Sequence, residues 1–167
     1  AEKLDIQMHC HIHETAGEVE DGLKAHGIRP IARLDKLGLF SERMIAVHMV
    51  HLNEEEIALM AKKGVHLVHN PNSNLKLASG VMPLQRLEAA GVNTILGTDG
   101  AASNNRLDMF GEIRSAALLA KGISGDPTVA SARTALEMAT IRAAKAMGRA
   151  DDLGSLEVGK LADVVAV

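Results

Sequence analysis

Histidine and acidic side chains alternate with apolar ones near the start of the chain, in the stretch LDIQMHCHIHET at residues 4–15. Successive side chains of a β-strand point to opposite faces, so this alternation predicts a strand that carries His9, His11 and His13 on one face. Glu14 follows directly. Imidazoles and carboxylates bind metal ions and transfer protons. The stretch therefore predicts either a metal or acid–base site at the carboxyl end of the strand, or a solvated strand face rich in histidine.

Three later strands carry similar side chains at or just beyond their carboxyl ends. The strands are predicted at 44–50, 65–69 and 92–98, and His48, His69 and Asp99 mark their ends. Parallel α/β folds build their sites at this edge of the sheet. Two imidazoles and a carboxylate, from His11, His48 and Asp99, would suit Zn²⁺ or a similar divalent ion. Taken singly, His48 could equally be a buried core histidine, and Asp99 an ordinary turn carboxylate.

Helices are predicted between these strands. Asn53 and Glu56 form a capping-box pattern at the start of one helix, and glycines end four of them: Gly27, Gly38, Gly64 and Gly91. Residues 70–80 are predicted as a polar loop, 108–147 as helix interrupted at 122–127, and the last residues as a turn and a short strand. Alternating strands and helices predict a parallel sheet covered by helices. The sheet would be either a small doubly wound one or half of an eight-stranded (β/α) barrel.

Composition limits the possible classes of protein. The 167 residues suit about one domain, and 47% hydrophobic but only 1% aromatic residues predict an aliphatic core rich in methionine. A net charge of −3 gives no basic footprint for nucleic acid. We find no signal peptide and no apolar run that approaches the roughly 20 residues needed to cross a membrane. A single cysteine, Cys10, excludes an internal disulfide and favours the cytoplasm.

Five motifs, in this order and spacing, resemble those of the amidohydrolase superfamily: HIHET, AVHMVHL, HNPNSNLKLASG, GTDGAASNN and GSLEVGKLADVVAV. Within the superfamily, the chain is most similar to the 5-methylthioadenosine/S-adenosylhomocysteine deaminases and their chlorohydrolase relatives. The resemblance implies a metal-dependent (β/α)8 TIM barrel with a small β-sandwich, of which this chain is the C-terminal half, strands five to eight. Residues 1–150 would form the half-barrel, and 151–167 the return segment of the sandwich.

The resemblance also implies a role for each site residue. His11 and Asp99 match the histidine and aspartate that bind zinc in these deaminases. Glu14 matches the proton shuttle, which also contacts the purine ring, and His48 matches the histidine that orients the attacking water or, in related branches, binds the metal. The implied chemistry is attack of hydroxide on C6 of an adenine ring, protonation of the ring nitrogen by Glu14 and loss of ammonia. One divalent ion, expected to be zinc, would serve each site.

One element of the family pattern has no counterpart in this sequence. The family carries a His-x-His pair on its first barrel strand, whereas the histidine pairs at 9–13 belong to the strand-five motif. We therefore expect the missing N-terminal half of the barrel as a partner and the isolated chain to be inactive. Open sheet edges also favour self-association, so a homo-oligomer is possible. The expected ligand is a small-molecule purine nucleoside, with no nucleic acid and no membrane as partner.

Other functions remain open at this point. A triazine-type chlorohydrolase and a guanine deaminase share the superfamily, and the substrate-selecting residues are expected mostly outside this chain. An inactive half-barrel fragment would explain the absent histidine pair. A flavodoxin-like binding domain would need the first strand to lie in the middle of the sheet.

Overall fold

Strands and helices alternate along the chain, as predicted. The computed structural model describes Leu4 and residues 6–166. In chain order the elements are β1 (Met8–Ile12), α1 (Ala16–His26), α2 (Pro30–Lys36), β2 (Met44–His48), α3 (Glu54–Lys63), β3 (His66–His69), α4 (Pro71–Lys76), α5 (Leu84–Ala89), β4 (Asn93–Leu96), α6 (Met109–Ser124), α7 (Ala132–Ala139) and α8 (Ile141–Ala146). Within these residues, no helix has both the length and the apolar character required to span a membrane.

The four strands form one parallel sheet in the order β1-β2-β3-β4, which confirms the α/β class. Alternate strand residues enter two different apolar clusters. On one face, Ala46, Leu67 and Leu96 pack in the main core with residues of the helices α2, α3, α5, α6 and α7. On the other face, Ile45, Val47, Val68 and Ile95 pack against Ala146 of α8. Burial on both faces explains why β2 and β3 are so apolar in sequence.

The main core is aliphatic and rich in methionine, as the composition predicts. Its fully or almost fully buried methionines include Met44, Met49, Met60, Met82 and Met138. An unbranched, flexible thioether fills irregular gaps between elements where the chain offers almost no aromatic ring.

Local signals fix the ends of several helices. The predicted capping box of α3 is present: Glu56 N–H donates to the Asn53 side chain, and the Glu56 carboxylate accepts from Asn53 N–H. α3 ends at Gly64, which has a φ of 67°. Thr15 caps α1 by accepting from Glu18 N–H. The strand-to-helix turns near the site therefore depend in part on short-range hydrogen bonds that the sequence encodes directly.

Three details of the sequence prediction are wrong. Residues 71–76 form α4 rather than loop, since Pro71 at the first helical position presets the helical backbone. The predicted helix at 108–147 has a second break at Thr140, which separates α7 from α8. The predicted last strand is absent: residues 162–166, the last ones that the structure describes, pair with no strand of the described part of the chain. The division at residue 150 stays a prediction.

α8 lies across the amino ends of the strands. The Asn93 side chain donates to the carbonyl of Arg142 over 3.1 Å, and the Gln7 side chain donates to the carbonyl of Ala146. Ala146 is fully buried against the sheet. α8 thus contacts the sheet at the amino ends of its two outer strands, while the predicted site residues lie at the opposite, carboxyl ends.

Candidate active site

β1 carries two of the predicted site residues to the carboxyl edge. His11 pairs with Val47 in the sheet register, so it shares the face of the sheet on which Val47 lies, and its side chain is exposed. Glu14 lies just beyond the strand, and about a quarter of its side chain is exposed. The Glu18 carboxylate accepts hydrogen bonds of 2.8 Å from the backbone N–H groups of both His13 and Glu14. α1 therefore fixes the peptide from which the Glu14 side chain extends.

His13 does not share the face of His11, which corrects the sequence prediction. β1 ends at Ile12, and His13 has a φ of 53°, so the alternation of the strand stops there. The His13 ring is fully buried, with Nδ1 3.1 Å from the carbonyl of His51. Burial lowers the pKa of this ring, and the Glu56 carboxylate nearby only partly opposes the shift. His13 thus contributes to packing between the strand end and α2.

β2 supplies His48, which is buried and points toward Glu14 and His11. Its Nδ1 donates to Oδ1 of Asn74 over 2.8 Å, and its Nε2 lies 3.7 Å from Oε2 of Glu14. The rings of His48 and His11 meet edge to face, with centroids 4.7 Å apart. Because Asn74 accepts from Nδ1–H, the Nε2 lone pair of His48 is free to face the site. His48 is therefore a buried histidine that also faces other predicted site residues, and its role there stays a prediction.

The ligand atoms of three residues converge at this edge. One nitrogen each from His11 and His48 and one carboxylate oxygen of Glu14 all lie within 4.8 Å of one another. Two imidazoles and a carboxylate are a donor set that fits zinc and similar divalent ions. An amide that fixes the tautomer of a ligating imidazole is also typical of the surroundings of metal sites.

Asp99 lies outside this group of three. It follows β4 with a φ of 60°, and its carboxylate accepts from Ser73 Oγ over 2.6 Å and from Gly100 N–H over 2.8 Å. Partial burial acts to raise the pKa of Asp99, but these two hydrogen bonds, with help from Ser103 and His48, hold it below its usual range. Asp99 is therefore ionised at neutral pH. Its pairing with His11 on one metal ion stays a prediction.

The other histidines near the edge have different surroundings. His69 at the end of β3 is fully buried, and burial, together with the nearby His48, lowers its pKa to about 4. His9 is exposed on β1. His51 donates from Nε2 to the carbonyl of Ser79 over 2.9 Å and so helps to hold a residue that touches Glu14.

Three polar residues that contact the site were not predicted from the sequence. Ser73 and Asn74 on α4 bind Asp99 and His48, and Ser79 donates from Oγ to Oε1 of Glu14 over 3.2 Å. All three are buried. They lie in SNLKLASG, a motif that carries the family resemblance, but nothing in its spacing shows which side chain faces which partner.

A parallel β/α sheet with two imidazoles and a carboxylate converging at its carboxyl edge is the arrangement of α/β proteins, barrels among them, that place their sites at this edge. A model of the Amidohydrolase family matches residues 1–167, and the chain belongs to this family.

Named relatives narrow the comparison. The chain is 54% identical over 164 residues to a 5-methylthioadenosine/S-adenosylhomocysteine deaminase of Moorella thermoacetica; the match covers 98% of the chain and 38% of the relative. A zinc-bound adenosine deaminase from Xanthomonas campestris is 55% identical, with a TM-score of 0.95 over 98% of this chain and 37% of that one. The zinc complex of atrazine chlorohydrolase TrzN from Arthrobacter aurescens is 33% identical to the chain. Its TM-score is 0.90, and the match covers 97% of this chain and 36% of TrzN. The chain thus spans 38% of the length of the curated relative.

Proposed function

We propose that this chain supplies the strand-five to strand-eight half of a hydrolytic deaminase of adenosine-type nucleosides: 5′-methylthioadenosine, S-adenosylhomocysteine and adenosine. The convergence of His11, Glu14 and His48 within 4.8 Å is the observation that carries the proposal. The names of the relatives that are 54% and 55% identical to the chain support this choice of substrate class.

We infer one divalent ion per site, zinc by analogy with the zinc-bound Xanthomonas and Arthrobacter structures. His11 and Asp99 would hold the ion, and Nε2 of His48 faces the same edge. A bound Zn²⁺ supplies one thing to the reaction: it lowers the pKa of a bound water to about 7.

Glu14 would move the first of two protons. Ser79 occupies its Oε1, which leaves Oε2, on the side of His48, to take a proton from the attacking water and deliver it to the purine ring nitrogen. Nε2 of His48 would accept a hydrogen bond from that water and so orient it toward C6. Ionised Asp99 would take the second proton and pass it to the departing amino group. The net change replaces the 6-amino group with oxygen from water and releases ammonia.

We further propose that the remaining half of the barrel completes the site, since the curated relatives are longer than this chain. That half would provide the His-x-His ligands and most contacts to the sugar. The cytoplasm, favoured by the single cysteine, and a homo-oligomer complete the proposal.

The test is to combine the chain with the portion of the Moorella thermoacetica relative that lies outside the match. This pair, the assembled protein, is loaded with zinc, and ammonia release is measured from 5′-methylthioadenosine, S-adenosylhomocysteine and adenosine. We expect release from at least one nucleoside, and none when Glu14→Gln replaces the parent chain. A folded assembly that holds zinc but deaminates none of the three would overturn the proposal.

A triazine-type chlorohydrolase is the second candidate, because TrzN matches the chain with a TM-score of 0.90. The same assembled protein given atrazine would then release chloride. The higher identity to the adenosine deaminase, 55% against 33%, favours deamination.

A further inference from the structure

We infer that Glu112 of α6 is a positioning residue for the candidate active site, acting on both His48 and Asp99 through α4 and through the loop at 99–104. This inference rests on the proposed function for its kinetic consequence, but its structural consequence can be measured without any activity. Glu112 is fully buried, and its carboxylate accepts three hydrogen bonds.

The first two hydrogen bonds hold α4. Asn72 donates to the two Glu112 oxygens from its backbone N–H over 3.2 Å and from its side-chain amide over 2.8 Å. α4 has only six residues, and Asn70 at its N-cap makes no side-chain capping bond. So short a helix is not stable by itself. Glu112 therefore supplies, from another helix, the acceptor that an N-cap residue usually provides for the first turn.

α4 transmits this restraint to the site. Its next two residues after Asn72 are Ser73, whose Oγ binds Asp99, and Asn74, whose amide oxygen binds Nδ1 of His48. Ser115, one turn further along α6, donates to Oδ1 of Asn72 over 2.8 Å and restrains the same side chain. A shift of Asn72 would displace both contacts together, since they lie within a single turn of helix.

The third hydrogen bond restrains the other side of Asp99. The side-chain nitrogen of Asn104 donates to Oε1 of Glu112 over 2.6 Å and to the carbonyl of Thr98 over 2.9 Å. Asn104 is itself buried, and Thr98 directly precedes Asp99. Glu112 therefore restrains Asp99 in two ways: through Ser73 of α4, and through Asn104 in the loop that contains Asp99.

Glu112→Gln tests this inference in the assembled protein, because it keeps the shape and replaces one accepting oxygen with an N–H₂ group that faces N–H donors. Glu20→Gln on the exposed part of α1 is the matched control. We expect kcat to fall about 10- to 100-fold, the usual loss when a residue that orients metal ligands is replaced. KM should change less than about threefold. The Glu20 variant should match the parent.

The second readout is the tautomer of His48, followed by long-range ¹H–¹⁵N spectra of the imidazoles in the metal-free assembly. We expect loss of the single Nδ1–H tautomer of His48 in Glu112→Gln, while the ring of His66 at the opposite end of β3 keeps its signals. The inference would be overturned if the His48 tautomer and kcat both matched those of the parent, even if the melting temperature of the variant were lower.

Two precautions separate the possible failures. If Glu112→Gln does not fold, Asn104→Ala, which removes one of the three hydrogen bonds, is measured in the same way. If the parent assembly deaminates no nucleoside, the proposed function has failed, and the His48 tautomer alone decides whether Glu112 positions the site.

Discussion

The two ends of the sheet use the same unusual backbone conformation with different residues. At the amino ends, the helix-to-strand turns before β3 and β4 contain Gly64 and Gly91, with φ values of 67° and 73°. At the carboxyl ends, the left-handed positions are occupied by residues other than glycine: His13, His48, Met49 and Asp99, with φ values of 53°, 73°, 47° and 60°. This conformation costs a residue with a Cβ about 1–2 kcal/mol, and it costs glycine almost nothing.

The difference shows where the fold tolerates strain. At the carboxyl ends, two predicted site residues lie where the strand turns, and Asn74 and Ser73 hold His48 and Asp99 in place. At the amino ends no such side chain is required, and glycine makes the turn without strain. Backbone strain at functional sites is common because surrounding hydrogen bonds can maintain it. The predictions below compare residues at the two ends of the sheet, from the largest expected effect to the smallest, and the last two test the strain itself.

Glu14→Gln should lower kcat of the assembled protein by about 10²- to 10⁴-fold, the usual contribution of a positioned acid–base group. The amide cannot carry the transferred proton, although it keeps the size of the carboxylate. Ammonia release measures the effect, with the exposed Glu55→Gln as control. If Glu14→Gln retained the activity of the parent, as the control should, Glu14 would have no catalytic role at the carboxyl edge.

Acid should destabilise the protein through His69. The pKa of His69 is about 4 in the fold, against 6.5 for an unperturbed histidine, because burial disfavours the charged ring. Between pH 6.5 and 4 the unfolded chain binds the extra proton, so stability rises with pH across this window and is lost as the pH falls through it. The difference corresponds to about 3 kcal/mol.

Urea unfolding of the metal-free chain from pH 7 to pH 4.5 measures this loss. His69→Gln should flatten the pH dependence, and His66→Gln, at the amino end of the same strand, should flatten it as well, because burial also lowers the pKa of His66. Some slope should persist in each, since His13 is shifted in the same direction. Identical pH profiles for the parent and His69→Gln would contradict the prediction.

Gly91→Ala at an amino end should lower the free energy of unfolding by about 1 kcal/mol, because of its positive φ alone. A Cβ at this position meets no atom within 4 Å, so steric overlap is not involved. Gly122→Ala in α6 is the matched control: its Cβ also has open space, and the helical backbone there should make alanine stabilising. If the two substitutions changed the free energy of unfolding by the same amount, backbone strain at Gly91 would not be the cause.

Ala78→Gly just beyond α4 should stabilise the protein by about 0.5 kcal/mol. Ala78 is exposed, has a φ of 55° and carries no functional group, so glycine relieves strain without removing chemistry. Thermal unfolding measures the gain, and Ala58→Gly, at an exposed position inside α3, should destabilise instead. A loss of stability at Ala78 would show that left-handed residues at this edge are not strained.

The sequence predicts those parts of the fold that local patterns determine. β1 follows from the alternation of polar and apolar residues, and the other three strands follow from apolar runs. α3 follows from Asn53, Glu56 and Gly64, which lie within twelve residues of one another. α4 has a local signal in Pro71, but the acceptor for its first turn comes from Glu112, forty residues after Asn72, and no local pattern shows that contact. His13 was placed on the wrong face for a similar reason, since the alternation in sequence continues past the point where Glu18 binds the backbone and the strand ends.

The candidate site was predicted in part. The sequence identifies His11, Glu14, His48 and Asp99, and the structure brings the first three together. The roles of these four residues stay predictions. The contacts of Ser73, Asn74 and Ser79 depend on which way each side chain points in a short helix and its following turn, and no periodicity encodes that direction.

The position of α8 bears on where the substrate and the product of the proposed enzyme bind. Because the Asn93 and Gln7 side chains donate to its backbone, α8 lies beneath the amino ends of the strands, whereas the candidate site residues lie at the carboxyl edge. A nucleoside and its deaminated product would then share one binding place at the carboxyl edge, and each would exclude the other from it. The product should therefore raise the apparent KM for the nucleoside and leave kcat unchanged.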